Sequence, residues 1–423
     1  MILRQITKIN APTCKAITPK GRAQLALLDF IFGLIAVFYG KKWKYTLKNF
    51  EEDPFYFTWR DSLYLGYKYY FRIPVQKRNH ETTKFFHEAH KEEIRDLRAT
   101  FEPSWLEKSV SISLGGDLMP YAHINKNTCK NLWDECGEFF FSSDIVFANL
   151  ETPIDLTKPV SSVPEVMLND MLFNGNEEMF EIFSGNGKYK GYDVLSVANN
   201  HSLDQGKEGL LNTMKFLQEK NILTCGAASS PETINDFPVI ERKGISFAFL
   251  AYTFSLNKFS CGDEPWLCNH LRLNKPGEDF SLIKKQTEIA RSRGAEVVIL
   301  SLHMGNAYQL FPDEHIIENT HRIARETEAD VLVCNHAHNP QPYEMYVWEN
   351  EKRITKNCLI FYALGDFVAY DIYVKAQQTL MAKLHFTKVN GKVKMMEPEI
   401  LLAKMKAEWE VKNKIKGLKF VPA

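Results

Sequence analysis

From about Val110 onward, short apolar runs alternate with longer segments in which apolar residues recur at helical spacing. The runs are rich in valine, isoleucine, leucine and phenylalanine, which is typical of strands buried on both faces. They read SVSISLGGD, DIVFANLE, YDVLSVANNH, VVILSLHMG, DVLVCNHAH and LIFYALGDF. Between them, Gly206–Asn221 and Asp313–Glu328 each place their apolar residues on one helical face. This alternation predicts an α/β domain of layered sheet and helix.

The alternation divides the chain into three zones. Residues 1–108 lack it and form an N-terminal extension, residues 109–402 form the α/β domain, and residues 403–423 form a lysine-rich tail. Within the domain, Asn390-Gly391 separates two alternating runs and predicts a hairpin at a sheet edge. The tail is expected to be helical or loose. The charged segment His80–Phe101 predicts a solvated helix, because its acidic and basic residues recur at helical spacing.

The N-terminal extension contains an apolar run, Leu25–Tyr39, that is shorter than the roughly 20 residues of a membrane-spanning helix. Asp29 lies inside the run and basic residues flank both ends, so the sequence indicates no membrane orientation. Two interpretations remain: a helix packed on the main domain, which the sequence favours, or a monotopic membrane anchor. The aromatic residues interleaved with Arg60 and Lys68 in residues 55–71 suit a bilayer interface and a domain interface equally.

Charge, cysteine content and the first residues indicate which partners and which cellular compartment to expect. Lys and Arg total 52, as do Asp and Glu, so the chain has no net charge that would favour nucleic acid as a partner. The eight cysteines are scattered, which mildly favours a reducing compartment, with pairing of Cys261 and Cys268 as an alternative. The first residues are polar and show no secretory signal, so we expect a cytoplasmic or peripheral membrane protein.

Each of the six predicted strands ends in residues that can bind a metal ion. In α/β sheets the carboxyl ends of the strands meet at one crevice, so residues distant in sequence converge there. The residues are Asp117, Asn149, Glu151, Asn200, His201, His303, His336, His338 and Asp366. Taken singly, each has an ordinary explanation, since a Gly-Asp pair is usually a turn and Asn199-Asn200-His201 alternatively caps a helix. Their joint occurrence at strand ends indicates a site.

The residue types in this set define its chemistry. Carboxylate, amide oxygen and imidazole together form a ligand set for Mn, Fe or Zn. One or two such divalent ions generate a nucleophile from water at neutral pH and bind a phosphoryl oxygen. A histidine beside the ions can donate a proton to the leaving group. The sequence therefore predicts a metal-dependent hydrolase.

Six motifs also resemble, in their order along the chain, those of a known family. They read GDLMP, FANLETP, ANNHSLDQG, SLHMG, NHAHNPQP and ALGDF. They resemble the CapA family, the capsule-associated, poly-γ-glutamate-related proteins of the calcineurin-like metallophosphoesterase superfamily. The resemblance covers residues 110–385 and implies a four-layer α/β/β/α sandwich with a dinuclear metal site.

The resemblance also implies a function for individual residues. The positions that match metal ligands are Asp117, Glu151, Asn200, His303, His336 and His338. Glu151 takes the place of the bridging carboxylate, with Asn149 as an accessory candidate. His201 matches the neighbouring acid histidine. Asp204 belongs to the family's NNH-x-x-D-x-G pattern, with helix capping as its structural alternative.

Three positions depart from the family's pattern. Met119 stands where the superfamily has a histidine, so one metal site lacks a neutral ligand. Occupancy by a single metal ion is therefore an alternative, and His123 is a candidate substitute. Asn335 stands where a glycine is usual. Asp366 replaces the usual asparagine, and its carboxylate is expected either to bind metal or to orient His338.

The leading functional hypothesis is phosphoester hydrolysis by metal-activated water, with His201 as the general acid, on a small-molecule or polyanionic substrate. One alternative is a non-hydrolytic, metal-binding component of capsular polyglutamate synthesis or export. Another is metal-dependent cleavage of an amide such as a γ-glutamyl bond. We expect Thr152–Gly175 to form one rim of the site and Asn257–Leu271, with Trp266, to form another.

Overall fold

The computed structural model of the protein describes residues 13–75, 103–168, 171–409 and 415–423, together with Gln5 and Phe86. From Val110 onward, two β-sheets form the centre of the molecule and helices cover their outer faces. The charged helix expected at His80–Phe101 lies outside the described residues, apart from Phe86. All eight cysteines lie within the described ranges and are free thiols, so Cys261 and Cys268 are not paired.

Within the described ranges, the first sheet has nine strands, and its centre is a parallel block. The strands are β1 (Val110–Leu118), β2 (Ile145–Leu150), β3 (Val194–Ser196), β4 (Leu223–Cys225), β11 (Asp366–Val368), β12 (Gln378–Val389), β13 (Lys392–Met395), β14 (Glu399–Trp409) and β15 (Ile415–Pro422). The hydrogen-bonded order is β15-β14-β12-β1-β2-β3-β4, with β11 beside β1 and β13 beside β12. The strands β1 to β4 are parallel, whereas β12 is antiparallel to β1.

The second sheet has six strands in the described part of the chain. They are β5 (Val239–Arg242), β6 (Ile245–Thr253), β7 (Val297–His303), β8 (Val331–Asn335), β9 (Tyr343–Glu349) and β10 (Thr355–Phe361). The order is β5-β6-β7-β8-β10-β9, in which the four inner strands are parallel and the two edge strands antiparallel. All six strands predicted from apolar runs are present in the two sheets.

The two sheets face each other and bury a continuous aromatic and aliphatic core. Phe147 of β2 stacks on Phe249 of β6, with ring centroids 5.5 Å apart, and Phe247 of β6 meets Phe386 of β12 at 5.4 Å.

The helices in the described ranges are α1 (Pro19–Trp43), α2 (Trp59–Gly66), α3 (Pro103–Lys108), α4 (Gly137–Phe141), α5 (Glu177–Phe183), α6 (Gly206–Glu219), α7 (Ser281–Ser292) and α8 (Glu314–Thr327). α4 and α6 lie against the first sheet and α7 against the second. The expected four-layer α/β/β/α sandwich is confirmed.

The predicted hairpin joins β12 to β13. Asn390 and Gly391 have φ values of +52° and +75°, the left-handed conformations that a two-residue turn between twisted strands requires. The paired residues Val389 and Lys392 close the turn on either side.

The expectation of a helical or loose tail at residues 403–423 is wrong. β14 and β15 pair in antiparallel orientation and extend the first sheet beyond β12. Lysines alternate along both strands with buried residues such as Met405 and Leu418, so each strand buries one face. The first sheet therefore continues past the domain boundary expected at residue 402.

Helix α1 is longer than the apolar run that predicted it. Phe32 and Trp43 are buried against an aromatic cluster that includes Tyr64 of α2 and Tyr67 of the π-helical turn that follows it. Leu28 reaches both this cluster and the main core. The opposite face of α1 carries an exposed apolar stripe, formed by Leu27, Phe30, Ile31, Leu34, Val37 and Phe38, which are 40% to 84% exposed. Contacts with the described residues therefore cover only one face of this helix.

The N-terminal extension packs against the α/β domain through backbone and side-chain contacts. The Lys15 amide donates a hydrogen bond to the Ile372 carbonyl oxygen at 2.7 Å. Glu51 forms a bidentate ion pair with Arg272, with N···O distances of 2.6 and 2.8 Å. These contacts place residues 50–71 over the carboxyl ends of the central strands, where the candidate site lies.

Candidate metal centre

The two Gly-Asp sequences are strand partners rather than turns. Asp117, near the end of β1, pairs in register with Asp366 of β11. The strands approach so closely that a Cβ atom at Gly116 would lie 1.8 Å from the carbonyl oxygen of Gly365. Glycine is therefore required at residue 116, and the pairing brings the two aspartate side chains to one point.

Two groups of candidate ligand atoms form among the described residues. In the Glu151 group, one atom each of Glu151, His303 and His336 lies within 4.8 Å of the others. His303 Nε2 is 3.5 Å from a Glu151 carboxylate oxygen and 2.8 Å from Asn200 Oδ1. All four side chains are buried. Asn200 thus adds an amide oxygen beside the three ligand atoms.

The Asp117 group consists of Asp117, His338 and Asp366, whose ligand atoms also lie within 4.8 Å of one another. His338 Nδ1 is 2.9 Å from Asp366 Oδ1, whereas Asp366 Oδ2 has no hydrogen-bond partner in the described part of the chain. Burial alone would lower the pKa of His338, but the Asp366 carboxylate beside it raises that pKa to about 10. One oxygen of Asp366 thus engages His338, and the other would be available to a metal ion.

Asn149 connects the two groups. Its Nδ2 donates a hydrogen bond to Asp117 Oδ1 at 2.7 Å and lies 3.3 Å from His303 Nδ1. Its Oδ1 accepts a hydrogen bond from Asn199 Nδ2 at 3.3 Å. Through these contacts Asn149 holds Asp117 and His303, one candidate ligand from each group, in position.

The loop after β8 turns two histidines toward the centre. His336 and His338 have φ values of +87° and +58°, which residues other than glycine seldom adopt. Such backbone strain concentrates at functional sites, where surrounding contacts maintain it. One of those contacts is the His336 amide, which donates a hydrogen bond to Asp117 Oδ2 at 3.1 Å. Asn335, where the family usually has glycine, is the last residue of β8 and needs no glycine conformation.

The polar atoms of the Glu151 group fit a cation. Neither carboxylate oxygen of Glu151 has a hydrogen-bond partner within the described ranges, although the side chain is fully buried. The ring nitrogens of His336 likewise make no hydrogen bond to any residue that the structure describes. A buried carboxylate without compensation is strongly destabilising. A divalent ion held by Glu151, His303 and His336 would satisfy the Glu151 carboxylate and one ring nitrogen of His336, and these donor types suit Mn, Fe or Zn.

Burial also sets the protonation state of the candidate ligands. It lowers the pKa of His303 to about 3 and that of His336 to about 4, so both imidazoles are neutral at physiological pH. Neutral imidazole is the form that binds metal, so His338, whose pKa Asp366 raises, would have to release its proton when a metal ion binds. Burial raises the pKa of Asp117, and the nearby Glu151 carboxylate raises it further. A cation would relieve this repulsion and favour the charged form of Asp117.

His201 lies beside these groups in a fixed orientation. Its Nδ1 is 2.7 Å from Asp204 Oδ2, and its ring stacks on Phe173 with centroids 3.9 Å apart. Burial alone would lower the pKa of His201, but Asp204 raises it above its ordinary value. Gln205 occupies the N-cap position of α6, so Asp204 does not cap that helix. Because Asp204 engages Nδ1, Nε2 is the nitrogen left to exchange a proton.

Met119 and His123 differ in their relation to the centre. Met119 is buried and lines the cavity described below. His123 packs edge-on against Tyr370 and belongs to neither ligand group, so it does not substitute for the missing histidine. Asp366 instead supplies a carboxylate to the Asp117 group.

A cavity of about 190 Å³ opens onto the centre. Residues that line it include Asn200, His201, His336 and His338. Much of the remaining wall is apolar, and most of it comes from residues 54–69, 163–167, 171–173 and 257–259. Both rims expected from the sequence therefore contribute, but Trp266 instead packs beneath Lys207, whose Nζ is 5.2 Å from the ring centroid.

The sequence does not mark Glu52, a buried residue of the extension that also lines the cavity. Glu52 Oε2 is 2.9 Å from Lys68 Nζ, and Oε1 is 3.6 Å from His336 Nε2. Burial alone would raise the pKa of Glu52, but Lys68 and His336 hold it at about 2. The only signal in the sequence is an acidic triplet set in an aromatic stretch, a pattern that indicates no chemistry by itself.

Two facing mixed sheets with carboxylate, amide and imidazole side chains at the ends of their parallel strands define an α/β sandwich protein with a candidate metal centre. The family model of the bacterial capsule synthesis protein PGA_cap matches residues 111–371, more than half of the chain. The protein therefore belongs to this family, and the resemblance to CapA proteins is confirmed.

Individual proteins are similar at lower identity. The chain is 24% identical over 290 residues to the PGA biosynthesis protein CapA of Bacillus subtilis (strain 168). The matched region covers 67% of this chain and 69% of that protein. It is 23% identical over 284 residues to the capsule biosynthesis protein CapA of Bacillus anthracis. In this comparison the matched region covers 66% of this chain and 64% of that protein. Among solved structures, the calcineurin-like phosphoesterase YfkN from Bacillus subtilis matches 70% of this chain and 90% of that chain, with 11% identity and a TM-score of 0.34. A hypothetical protein from Thermus thermophilus matches 69% of this chain and 99% of that chain, with 12% identity and a TM-score of 0.38.

Proposed function

We propose that this protein is a metal-dependent hydrolase that cleaves a phosphoester. The observation that supports this function best is that one cavity is lined by His336 and His338, from the two ligand groups, and by His201. Metal ligands and a candidate proton donor therefore face the same volume, as general acid catalysis at a metal centre requires.

The candidate ligands divide between two positions. One ion would be held by Glu151, Asn200, His303 and His336, and another by Asp117, His338 and Asp366. Such ions, when bound, supply a water of lowered pKa and neutralise charge on phosphoryl oxygens. Asn149 holds Asp117 in place through its side-chain amide.

The proton needed by the leaving oxygen comes from His201. Asp204 engages Nδ1 and Phe173 fixes the plane of the ring, so Nε2 is presented in one orientation. The apolar walls of the cavity limit the access of bulk water, which strengthens the electrostatic interactions inside.

Metal-dependent turnover is the first test of this function. Purified protein supplied with Mn²⁺ is expected to hydrolyse p-nitrophenyl phosphate, because this probe requires only the metal centre and not the natural specificity. Chelation with EDTA is expected to abolish turnover, and added Mn²⁺ is expected to restore it. Turnover that persists after complete removal of metal would contradict the mechanism.

Membership of a capsule synthesis family supports a second candidate function, a metal-binding component of polyglutamate synthesis or export without hydrolytic activity. The same centre also suits cleavage of a γ-glutamyl amide, because the nucleophile is the same. γ-Glutamyl p-nitroanilide assayed beside the aryl phosphate separates these functions. A protein that binds Mn²⁺ and cleaves neither probe would support the non-hydrolytic function.

We also propose that α1 attaches the protein to a membrane surface. Within the described ranges, α1 is the helix long and apolar enough to cross a membrane, by length and composition. Its exposed residues recur at spacings of three and four, so they form one stripe while the other face packs on the protein. Lys41 and Lys42 in the last turn suit anionic headgroups. Because the other face of α1 packs on the protein, the exposed apolar stripe is the part that can enter the membrane interface, with the basic residues at the headgroups.

Flotation with vesicles of phosphatidylcholine and phosphatidylglycerol tests this attachment. The double variant Leu34→Glu, Val37→Glu is expected to lower vesicle binding at least about tenfold, because each buried aliphatic side chain contributes roughly 1.5–3 kcal/mol. Val347→Glu is the matched control, since Val347 is an exposed aliphatic residue of β9 outside the stripe. Equal binding by wild type and the double variant would contradict the proposal.

A further inference from the structure

Glu52 lies in a segment of the N-terminal extension that Glu51 and Asp53 attach to the α/β domain. Glu51 pairs with Arg272 at 2.6 and 2.8 Å, and Asp53 accepts a hydrogen bond from Ser255 Oγ at 3.1 Å. The segment lies outside residues 111–371, which the family model matches. Since residues on both sides of Glu52 make attachments, docking of the segment does not depend on Glu52 alone.

The two carboxylate oxygens of Glu52 have different partners. Oε2 accepts hydrogen bonds from Lys68 Nζ at 2.9 Å and from the Ala307 amide at 3.0 Å. These two donors fix the carboxylate, and Oε1 is directed at His336 Nε2 from 3.6 Å. A shift of a few tenths of an ångström would complete a hydrogen bond between them.

A structural function alone accounts poorly for this ion pair. The side chains of Lys68 and Glu52 are 0% and 5% exposed, and two charges so deeply buried often contribute no more stability than apolar residues of similar volume. The rings of Phe50 and Tyr64, 5.1 and 5.3 Å from Lys68 Nζ, offset part of the cost. By contrast, a metal-binding histidine very commonly donates its second ring N–H to a carboxylate.

We propose that Glu52 positions His336 for metal binding and that Lys68 holds Glu52 in place. This inference rests on the metal centre proposed above. A carboxylate facing Nε2 favours the tautomer with its proton on Nε2, which leaves the Nδ1 lone pair available. His336 Nδ1 is buried and has no hydrogen-bond partner among the residues that the structure describes. The N-terminal extension is thereby a working part of the metal centre as well as one wall of its cavity.

Calorimetric titration of metal-free protein with Mn²⁺ measures this effect without reference to turnover. The double variant Glu52→Leu, Lys68→Met removes both charges together, so that no buried charge is left unpaired. It is expected to remain folded by circular dichroism and to bind Mn²⁺ about 10- to 100-fold more weakly than wild type. Glu51→Gln is the matched control, because it weakens the attachment to Arg272 and leaves His336 untouched. Its affinity is expected to stay within about twofold of wild type, as for a site it does not contact.

Each other outcome overturns a specific part of the inference. Wild-type affinity in the double variant would show that Glu52 does not position His336. An equal loss in Glu51→Gln would assign the effect to docking of the segment instead of to the carboxylate. Absence of Mn²⁺ binding by the wild type would overturn the inference together with the proposed centre, whereas binding without hydrolysis would contradict the proposed function alone.

Discussion

Replacement of His303 by alanine is expected to lower kcat/KM for aryl phosphates by at least about a thousandfold, equivalent to roughly 4 kcal/mol of transition-state stabilisation. It is also expected to remove one bound ion per chain. His303 Nε2 lies 2.8 Å from Asn200 Oδ1 and 3.5 Å from a Glu151 oxygen, so the imidazole is central to its group. Without it, the Glu151 group keeps only one histidine, and Glu151 keeps a buried charge with less compensation.

Elemental mass spectrometry and steady-state kinetics on the same samples measure both effects. The matched control is His385→Ala, since His385 is also a buried histidine of the two-sheet core. It lies on β12 opposite Ser111, at the far end of β1 from Asp117, and interacts with Ser109 and Glu399. This control is expected to lose stability but to keep its metal and its kcat/KM. Retention of both ions and of activity in His303→Ala would refute the assignment of the ligand group.

Substitution of His201 by glutamine is expected to separate proton donation from metal binding. The variant should retain wild-type metal content, because His201 belongs to neither ligand group. For alkyl phosphates, whose leaving oxygen requires a proton, we expect a loss of about 10²–10⁴ in kcat. For p-nitrophenyl phosphate the loss should be much smaller, because nitrophenolate departs as a stable anion.

The comparison of the two substrates serves as its own control, since both use the same protein sample and metal content. Asp204→Asn should show the same dependence on leaving group with a smaller loss, because Asp204 acts on the reaction through His201 Nδ1, and the asparagine can still accept the hydrogen bond from the Phe173 amide. Equal losses on both substrates would mean that His201 contributes binding or structure and is not the general acid.

Local periodicity explains which parts of the fold were predictable. The inner strands β1, β2, β3, β7, β8 and β10 are short apolar runs because both of their faces are covered, and such runs are recognisable without knowledge of their partners. The convergence of their carboxyl ends then follows from parallel topology. The turn at Asn390-Gly391 was predictable for another reason, since its two left-handed residues suit few other sequences.

The strands β14 and β15 were not predicted because their residues have mixed preferences. Lysine, glutamate and alanine in EILLAKMKAEW favour helix in isolation, and only pairing with β12 makes the alternation of buried and exposed residues decisive. Edge strands of natural sheets often carry such lysines, because exposed charge hinders pairing with other chains. Tertiary pairing thus outweighed local propensity in this part of the chain.

The candidate site was predictable as a set of strand-end residues but not in its pairwise geometry. Sequence alone left Asp366 either to bind metal or to orient His338; in the structure Oδ1 engages His338 Nδ1, and Oδ2 has no hydrogen-bond partner within the described ranges. Glu52 carried no signal because it approaches His336 through tertiary packing of the extension, which no local pattern encodes.

The apolar part of the cavity wall has a consequence for how this scaffold can change. The extension supplies Pro54, Phe57, Leu65 and Tyr69 to that wall, whereas the candidate ligands come from the two sheets. Grafting a different segment in place of residues 54–66, with Glu52 and Lys68 retained, would reshape the volume that receives the substrate without disturbing a strand. These wall residues and the candidate ligands thus lie in separate stretches of polypeptide, which makes residues 54–66 a natural region to diversify in a search for altered substrate preference.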